Sequence, residues 1–255
     1  MTPKPARPLS RPKAIAFDCY RTLFQNDPAD WERMFGEICR SQKLSISGPD
    51  LWERWKKYEV NFRATRLNLD DLAKSPPFKS YRQAWSECFE RVFADTGSKA
   101  DPAHSSEMCI RHLAARPAFP EALSALTGLA SRVPLAVLSN ADEDFLRPCL
   151  GQLPVRFKAI VSSESAEWYK PAPGVFDSLL RGLKAAPSDV WYVGDHLHED
   201  VHGSASAGMV AVWVNRPGAD AYYAGQVGLS AGRHIEPHVE ISDLKDLVGL
   251  LDGVP

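Results

Sequence analysis

Apolar residues follow two different rhythms along this chain. Residues 13–19, Lys-Ala-Ile-Ala-Phe-Asp-Cys, form a short continuous apolar run ending in an acid. That is the pattern of a strand buried on both faces of a parallel sheet. From 26 to 116 such runs vanish, and the spacing predicts amphipathic helices over 29–42, 49–66, 79–96 and 104–114. Trp31, Met34, Phe35 and Ile38 trace one stripe, and Ser75-Pro76-Pro77 breaks the block with a loop. After Pro117 short apolar runs return at 134–139, 157–162, 190–194 and 210–214. Helix-like stretches at 119–131, 142–151, 172–185 and 198–207 separate them, and Gly208 stands where a helix would end before a strand. A short strand near 238–241 and a helix near 242–251 close the chain.

Strand–helix alternation argues for an open parallel sheet covered on both faces. The expected fold is α/β, a Rossmann-like parallel-sheet core with an inserted α-helical cap. The core takes 13–25 and 117–255, the cap 26–116, and the basic, proline-rich residues 1–12 form a flexible solvated tail. At 255 residues, 44% hydrophobic and 24% charged, the composition is that of a globular protein with a sizeable core. A net charge of −2 gives no field suited to nucleic acid or an acidic membrane. No apolar run approaches the roughly 20 residues of a membrane span, and the start lacks the apolar stretch of a signal peptide. The five cysteines are odd in number and scattered without a CxxC pair, which predicts buried free thiols in a reducing, cytoplasmic setting.

In open α/β sheets ligands bind at the carboxyl ends of strands. Four predicted strand ends carry polar residues: Asp18 with Thr22, Ser139 with Asn140, Ser162 with Ser163, and Gly194 with Asp195. Lys170-Pro171 lies in a loop before a helix. An acid, a hydroxyl, a lysine and a second acid can thus converge on one rim.

Phe-Asp-Cys-Tyr-Arg-Thr-Leu-Phe at 17–24 resembles the first motif of the haloacid dehalogenase superfamily. Leu-Ser-Asn at 138–140 resembles the second, Tyr-Lys-Pro at 169–171 the third, and Gly-Asp-His-Leu-His-Glu-Asp at 194–200 the fourth. The motifs stand in the family's order, with the helical insertion between the first and second. The resemblance implies a hydrolase in which Asp18 attacks the substrate and forms a covalent ester that water later cleaves. It makes Lys170 the group that holds Asp18 ionised, Ser139 and Asn140 neighbours of the group under attack, and Thr22 the residue that orients Asp18 or its loop. Tyr20 and Arg21 become candidate substrate contacts. Asp18, the backbone carbonyl of Tyr20, Asp195 and Asp200 form a candidate Mg²⁺ site, since hard cations take oxygen ligands. The implied partner is a small anionic substrate.

Within the superfamily the motifs are mixed. Phosphatases carry a second Asp two residues after the nucleophile, where general acid–base help is typically worth about 10²–10⁴ in rate. Here that residue is Tyr20, as in 2-haloacid dehalogenases, so a 2-haloacid is one expected substrate. Asp195, by contrast, is phosphatase-like, so a Mg²⁺-dependent phosphatase is the alternative. Leu51-Trp52 resembles the dehalogenase segment preceding a substrate-binding arginine, but Glu53 follows it, leaving Arg54, Arg63 or Arg82 as substitutes. Arg21 replaces the usual Gly of the first motif.

Other classes have less support. His198-Glu199-Asp200-Val201-His202 matches the H-E-x-x-H zinc pattern, but it directly follows a strand-ending Gly-Asp and has no third ligand at a familiar spacing. A non-catalytic binding protein on this fold is a further alternative, weighed down by the retained Lys170 and Asp195. A receiver-type domain would lack the large insertion. No Walker A or Gly-rich dinucleotide fingerprint occurs.

Overall fold

The structure is a computed structural model of the chain that describes residues 9–216 and 236–254. β1 (Ala14–Phe17), β2 (Leu135–Ser139), β3 (Ala159–Ser162), β4 (Val190–Gly194), β5 (Val210–Val214) and β6 (Val239–Ile241) form one parallel sheet in the order β3-β2-β1-β4-β5-β6. All four β1 residues are buried, as are all five of β2 and of β4. Such strands leave no place for polar alternation, which is why they read as unbroken apolar runs. β1 pairs with β2 on one side and β4 on the other. The strand order therefore reverses at β1, and a crevice opens beyond its carboxyl end. Asp18 is the first residue past that end.

One sheet face packs Ala14, Ala16, Leu138 and Tyr192 against α8 (Pro173–Leu183). The other packs Ile15, Phe17, Val137 and Val193 into a core that includes α5 (Pro120–Ala130) and α10 (Leu244–Asp252). Between β1 and β2 run α1 (Pro28–Ser41), α2 (Gly48–Thr65), α3 (Tyr81–Thr96) and α4 (Pro102–Ala114). The inner faces of α1, α2 and α3 meet in an aromatic cluster, with Trp55 centred 5.2 Å from Phe35, 5.6 Å from Phe89 and 6.1 Å from Trp85. A four-residue α7 (Ser163–Ala166) follows β3, and α6 (Glu143–Leu150) follows β2. All five cysteines are buried and none forms a disulfide. No helix among the described residues is long and apolar enough to cross a membrane.

The helices lie within a few residues of their predicted bounds, with one difference in kind. The expected helix at 198–207 is a π-helical turn at Leu197–His202 that runs into α9 (Gly203–Ser206). The widened turn accompanies Asp200, whose carboxylate folds back to accept from the backbone N–H of His196 at 2.9 Å. Gly194 makes room for it: a Cβ there would lie 2.4 Å from the Asp200 carboxyl carbon. Of the segment expected as a solvated tail, residues 1–8 lie outside the described residues. Leu9 and Pro12 are buried against the core, so the described remainder is not solvated throughout.

Asp142 ties the helical insertion to the sheet. Its two carboxylate oxygens accept from the first backbone N–H groups of α3, Tyr81 and Arg82, each at 2.8 Å. Burial pushes its carboxyl up to about 6, against the pull of those two donors. A folded value above the unfolded one, about 3.9, means stability is fully present below pH 4 and is lost as pH rises through 6. Urea midpoints measured across that window are expected to fall for the wild type. Asp142→Asn, which cannot ionise, should give a flatter profile.

Candidate active site

Asp18 and Lys170 arrive from opposite directions. The backbone N–H of Asp18 donates to the Val193 carbonyl at 2.8 Å, which extends the β1–β4 ladder by one residue and aims the carboxylate at the crevice. Lys170 Nζ lies 2.6 Å from Asp18 Oδ1 and 2.6 Å from Asp200 Oδ1, with its side chain only 2% exposed. Nζ also donates to Tyr192 Oη at 3.1 Å and to the Leu138 carbonyl at 3.4 Å, and the Tyr192 hydroxyl itself donates to that carbonyl at 2.8 Å. Each ion pair is worth about 6 kcal/mol before desolvation at an effective dielectric near 20. Burial works against the Lys170 charge, but Asp18 and Asp200 outweigh it and hold the ammonium well above its ordinary value.

The Ser139 hydroxyl, at the end of β2, donates to Asp18 Oδ1 at 3.1 Å. Asn140 holds the lysine loop rather than the nucleophile. Its Oδ1 accepts from Lys170 N at 2.8 Å, and its Nδ2 donates to the Lys170 carbonyl at 3.3 Å and to Glu199 at 2.9 Å. Thr22 is fully buried and its hydroxyl donates to Asp195 Oδ1 at 3.4 Å, so it meets the fourth-motif acid rather than Asp18. Tyr20 also differs from expectation. Its hydroxyl lies 3.1 Å from the Phe145 carbonyl and 3.3 Å from that of Leu113, so only its ring is offered to the cavity. Burial pushes the phenol well above its ordinary value, which removes it as an acid or base near neutrality.

Asp18, Asp195 and Asp200 offer one carboxylate oxygen each, all within 4.8 Å of one another. An all-oxygen set this compact fits a hard divalent cation. Among the described residues no other such cluster of potential metal ligands occurs. His198 and His202 instead stack face to face 5.4 Å apart, and the H-E-x-x-H pattern makes no metal cluster. Among the described residues, three acids here face two nearby cations, Lys170 and Arg21. Burial raises the Asp18 carboxyl to about 7; Lys170 opposes the rise, while Asp200 and Asp195 add to it. Positive charge added among these acids would oppose that rise.

Arg21 has a φ of 67°, the left-handed region that favours glycine, and a non-glycine there typically costs about 1 kcal/mol. Its Nε lies 3.3 Å from Asp195 Oδ2 and its Nη1 3.0 Å from Asp27 Oδ1. Arg216 secures this loop by donating to the carbonyls of Arg21 and Thr22 at 3.2 and 3.0 Å, while its guanidinium covers the Phe119 ring at 3.6 Å. Sequence reasoning missed Arg216, because nothing in its surroundings at the end of β5 marks it.

Beyond the rim lies a cavity of about 520 Å³ between sheet and insertion. Its far wall is aromatic, with Trp31, Trp52, Trp55, Tyr81, Trp85 and Phe145. Of the three arginines proposed to replace the one expected at Glu53, Arg63 alone lines it. Arg54 is exposed, and Arg82 pairs with Glu107 and Asp144. Arg63 and Arg66 both reach from α2 to Glu199 Oε1, at 3.1 and 2.7 Å. Burial alone would raise the Glu199 carboxyl, but these two guanidiniums overcome it and hold it well below its ordinary value. Glu199→Ala removes the acid on which Arg66, a side chain only 3% exposed, depends. Arg66 keeps its bond to Tyr81, so the expected cost is about 3 kcal/mol, at the low end for a broken buried pair, read as a lowered urea midpoint.

A family model described as haloacid dehalogenase-like hydrolase matches residues 82–214, just over half of the chain. The chain belongs to this family of hydrolases. It is 26% identical over 257 residues to N-acylneuraminate-9-phosphatase of Rattus norvegicus, covering 96% of each chain. It is similar in fold to the L-2-haloacid dehalogenase of Xanthobacter autotrophicus with chloropropionic acid covalently bound: TM-score 0.73, 19% identity, 95% of this chain and 99% of that one. The HAD-hydrolase YfnB of Bacillus subtilis, bound to magnesium, matches with TM-score 0.72 and 19% identity over 95% of this chain and all of that one. At such identities the two structures establish the shared α/β fold, with the reaction left to the site.

Proposed function

We propose that this hydrolase is a Mg²⁺-dependent phosphatase that transfers the phosphoryl group of a small phosphate ester to Asp18. The observation that carries this reading is the third carboxylate. Asp195 stands with Asp200 beside the nucleophile and raises its carboxyl, a handicap unless the cluster serves to hold a cation. A carboxylate attacking a neutral carbon–halogen centre has no need of that cation; one approaching a phosphate dianion has. The full-length likeness to a phosphatase supports the same side. Cavity size does too: the non-hydrogen atoms of a three-carbon haloacid occupy about 180 Å³ at about 30 Å³ for each water-sized group, against about 520 Å³ here.

Asp18, Asp195 and Asp200, with the backbone carbonyl of Tyr20, would hold the Mg²⁺. When bound, the ion offsets the repulsion between carboxylate and phosphate. An Asp18 carboxylate oxygen attacks phosphorus and the bond to the leaving oxygen breaks. Lys170 keeps Asp18 charged, and Ser139 fixes the direction of attack. Water then cleaves the aspartyl phosphate, releasing inorganic phosphate and restoring Asp18. The helical insertion serves as the cap, held shut over the rim by Glu199 with Arg63 and Arg66.

No acid stands at position 20 to protonate the departing oxygen, and the Tyr20 hydroxyl is engaged with backbone carbonyls. The best substrates are therefore those whose leaving group is stable as an anion, aryl or acyl phosphates. Across a series of aryl phosphates, kcat/KM is expected to fall steeply as the leaving phenol becomes less acidic. A flat series would mean that another group supplies the proton. The same Tyr20 favours a second reading, dehalogenation, in which halide leaves without a proton. Phosphate release from an aryl phosphate and halide release from 2-haloacids, each measured with Mg²⁺ and with EDTA, separate the two. Metal-dependent phosphate release is expected; metal-independent halide release would overturn the proposal in favour of the second reading.

A further inference from the structure

We propose that Arg21 is a built-in competitor for the divalent cation at Asp195 and so sets the metal affinity of the site. This inference rests on the metal site of the phosphatase reading. The position is one where the backbone favours glycine, yet an arginine occupies it with φ at 67°. Its side chain turns onto the metal-binding face: Nε is 3.3 Å from Asp195 Oδ2, in a contact where the two side chains are only 13% and 9% exposed. A guanidinium cannot leave by losing its proton, because it stays charged at any pH a protein tolerates. A cation that takes up Asp195 must therefore displace the guanidinium or share the carboxylate with it, and either lowers its affinity.

The second anchor gives the displaced group somewhere to stay. Nη1 is 3.0 Å from Asp27, which stands at the start of α1 and is more than half exposed. Arg216 meanwhile pins the Arg21 carbonyl, so the backbone need not move when the side chain does. The other neighbouring charges are committed elsewhere. Lys170 is engaged by Asp18 and Asp200, and among the described residues Arg21 is a cation set directly on Asp195. The Thr22 hydroxyl also meets Asp195, at 3.4 Å, but it carries no charge with which to oppose a metal.

The test is a calorimetric titration of the EDTA-stripped full-length protein with MnCl₂, with the spin-resonance signal of free Mn²⁺ as an independent count of binding. Arg21→Met and Arg21→Gln both remove the charge while keeping a side chain at the strained position, so one can stand in should the other fold poorly. Each is expected to bind Mn²⁺ roughly tenfold more tightly than wild type, equivalent to about 1.4 kcal/mol. Arg21→Lys should stay near wild type, and Asp195→Asn should lose binding. Equal affinity in wild type and both neutral variants would overturn the role of Arg21 while leaving the metal site in place. Absence of Mn²⁺ binding from wild type and neutral variants alike would remove the metal site itself, and the competition with it.

Discussion

Asp18→Asn is expected to lower turnover by at least about 10⁴-fold, the scale on which loss of a nucleophile registers in other hydrolases. An amide oxygen is a poor nucleophile, and no other carboxylate is placed to replace the one that extends from β1. Asp200 is tied to Lys170, Tyr192 and the His196 backbone, and Asp195 to Arg21 and Thr22. The fold should survive the change. Removing one negative charge leaves two acids facing two cations, and Lys170 keeps Asp200 at 2.6 Å. The thermal midpoint is therefore expected to hold or rise while kcat collapses. Substantial activity in a variant whose mass confirms that the introduced amide has not hydrolysed back to the acid would contradict the assignment of the nucleophile.

Lys170→Met should damage both stability and activity. The ammonium lies between two carboxylates that are themselves nearly inaccessible, so its removal leaves Asp18 and Asp200 buried without their common counter-ion. Breaking a buried pair from one side costs about 3–5 kcal/mol. The same loss removes the chief influence that lowers the Asp18 carboxyl, so less of the nucleophile is ionised near neutrality. Urea unfolding reads the first effect. The second is read as an acid limb of kcat/KM displaced to higher pH. A variant with unchanged stability would show that the two acids share a proton or find another cation, and that Lys170 is not what holds the cluster together.

Much of the site is legible in the sequence because the strands are buried on both faces. An apolar run ending in a polar residue marks a strand end, and a parallel sheet puts all such ends on one rim. Asp18, Ser139 and Asp195 are found this way, Lys170 by its Tyr-Lys-Pro motif in a loop before a helix, and the structure gathers them around Asp18. What the sequence hides are partnerships set by packing between distant segments. The Arg66–Glu199 pair spans 133 positions, and Arg216 reaches Thr22 across 194. Nothing near either end of these pairs indicates the other. The direction of the Tyr20 hydroxyl depends on where the carbonyls of α4 and α6 come to lie, which no local pattern encodes. The π-helical turn is hidden for a similar reason. Its sequence is compatible with an ordinary helix, and the backbone at Gly194 is what leaves space for Asp200 to fold inward.

The central claim, that Asp18 takes the phosphoryl group, is tested most directly by peptide mass analysis. Protein turning over an aryl phosphate in Mg²⁺ is quenched in acid and digested, and the peptide containing Asp18 is examined. One added phosphoryl group on Asp18, removed by hydroxylamine and absent from the Asp18→Asn variant, is the predicted result. Phosphate release under these conditions with Asp18 never modified, or with the label on another residue, would contradict it.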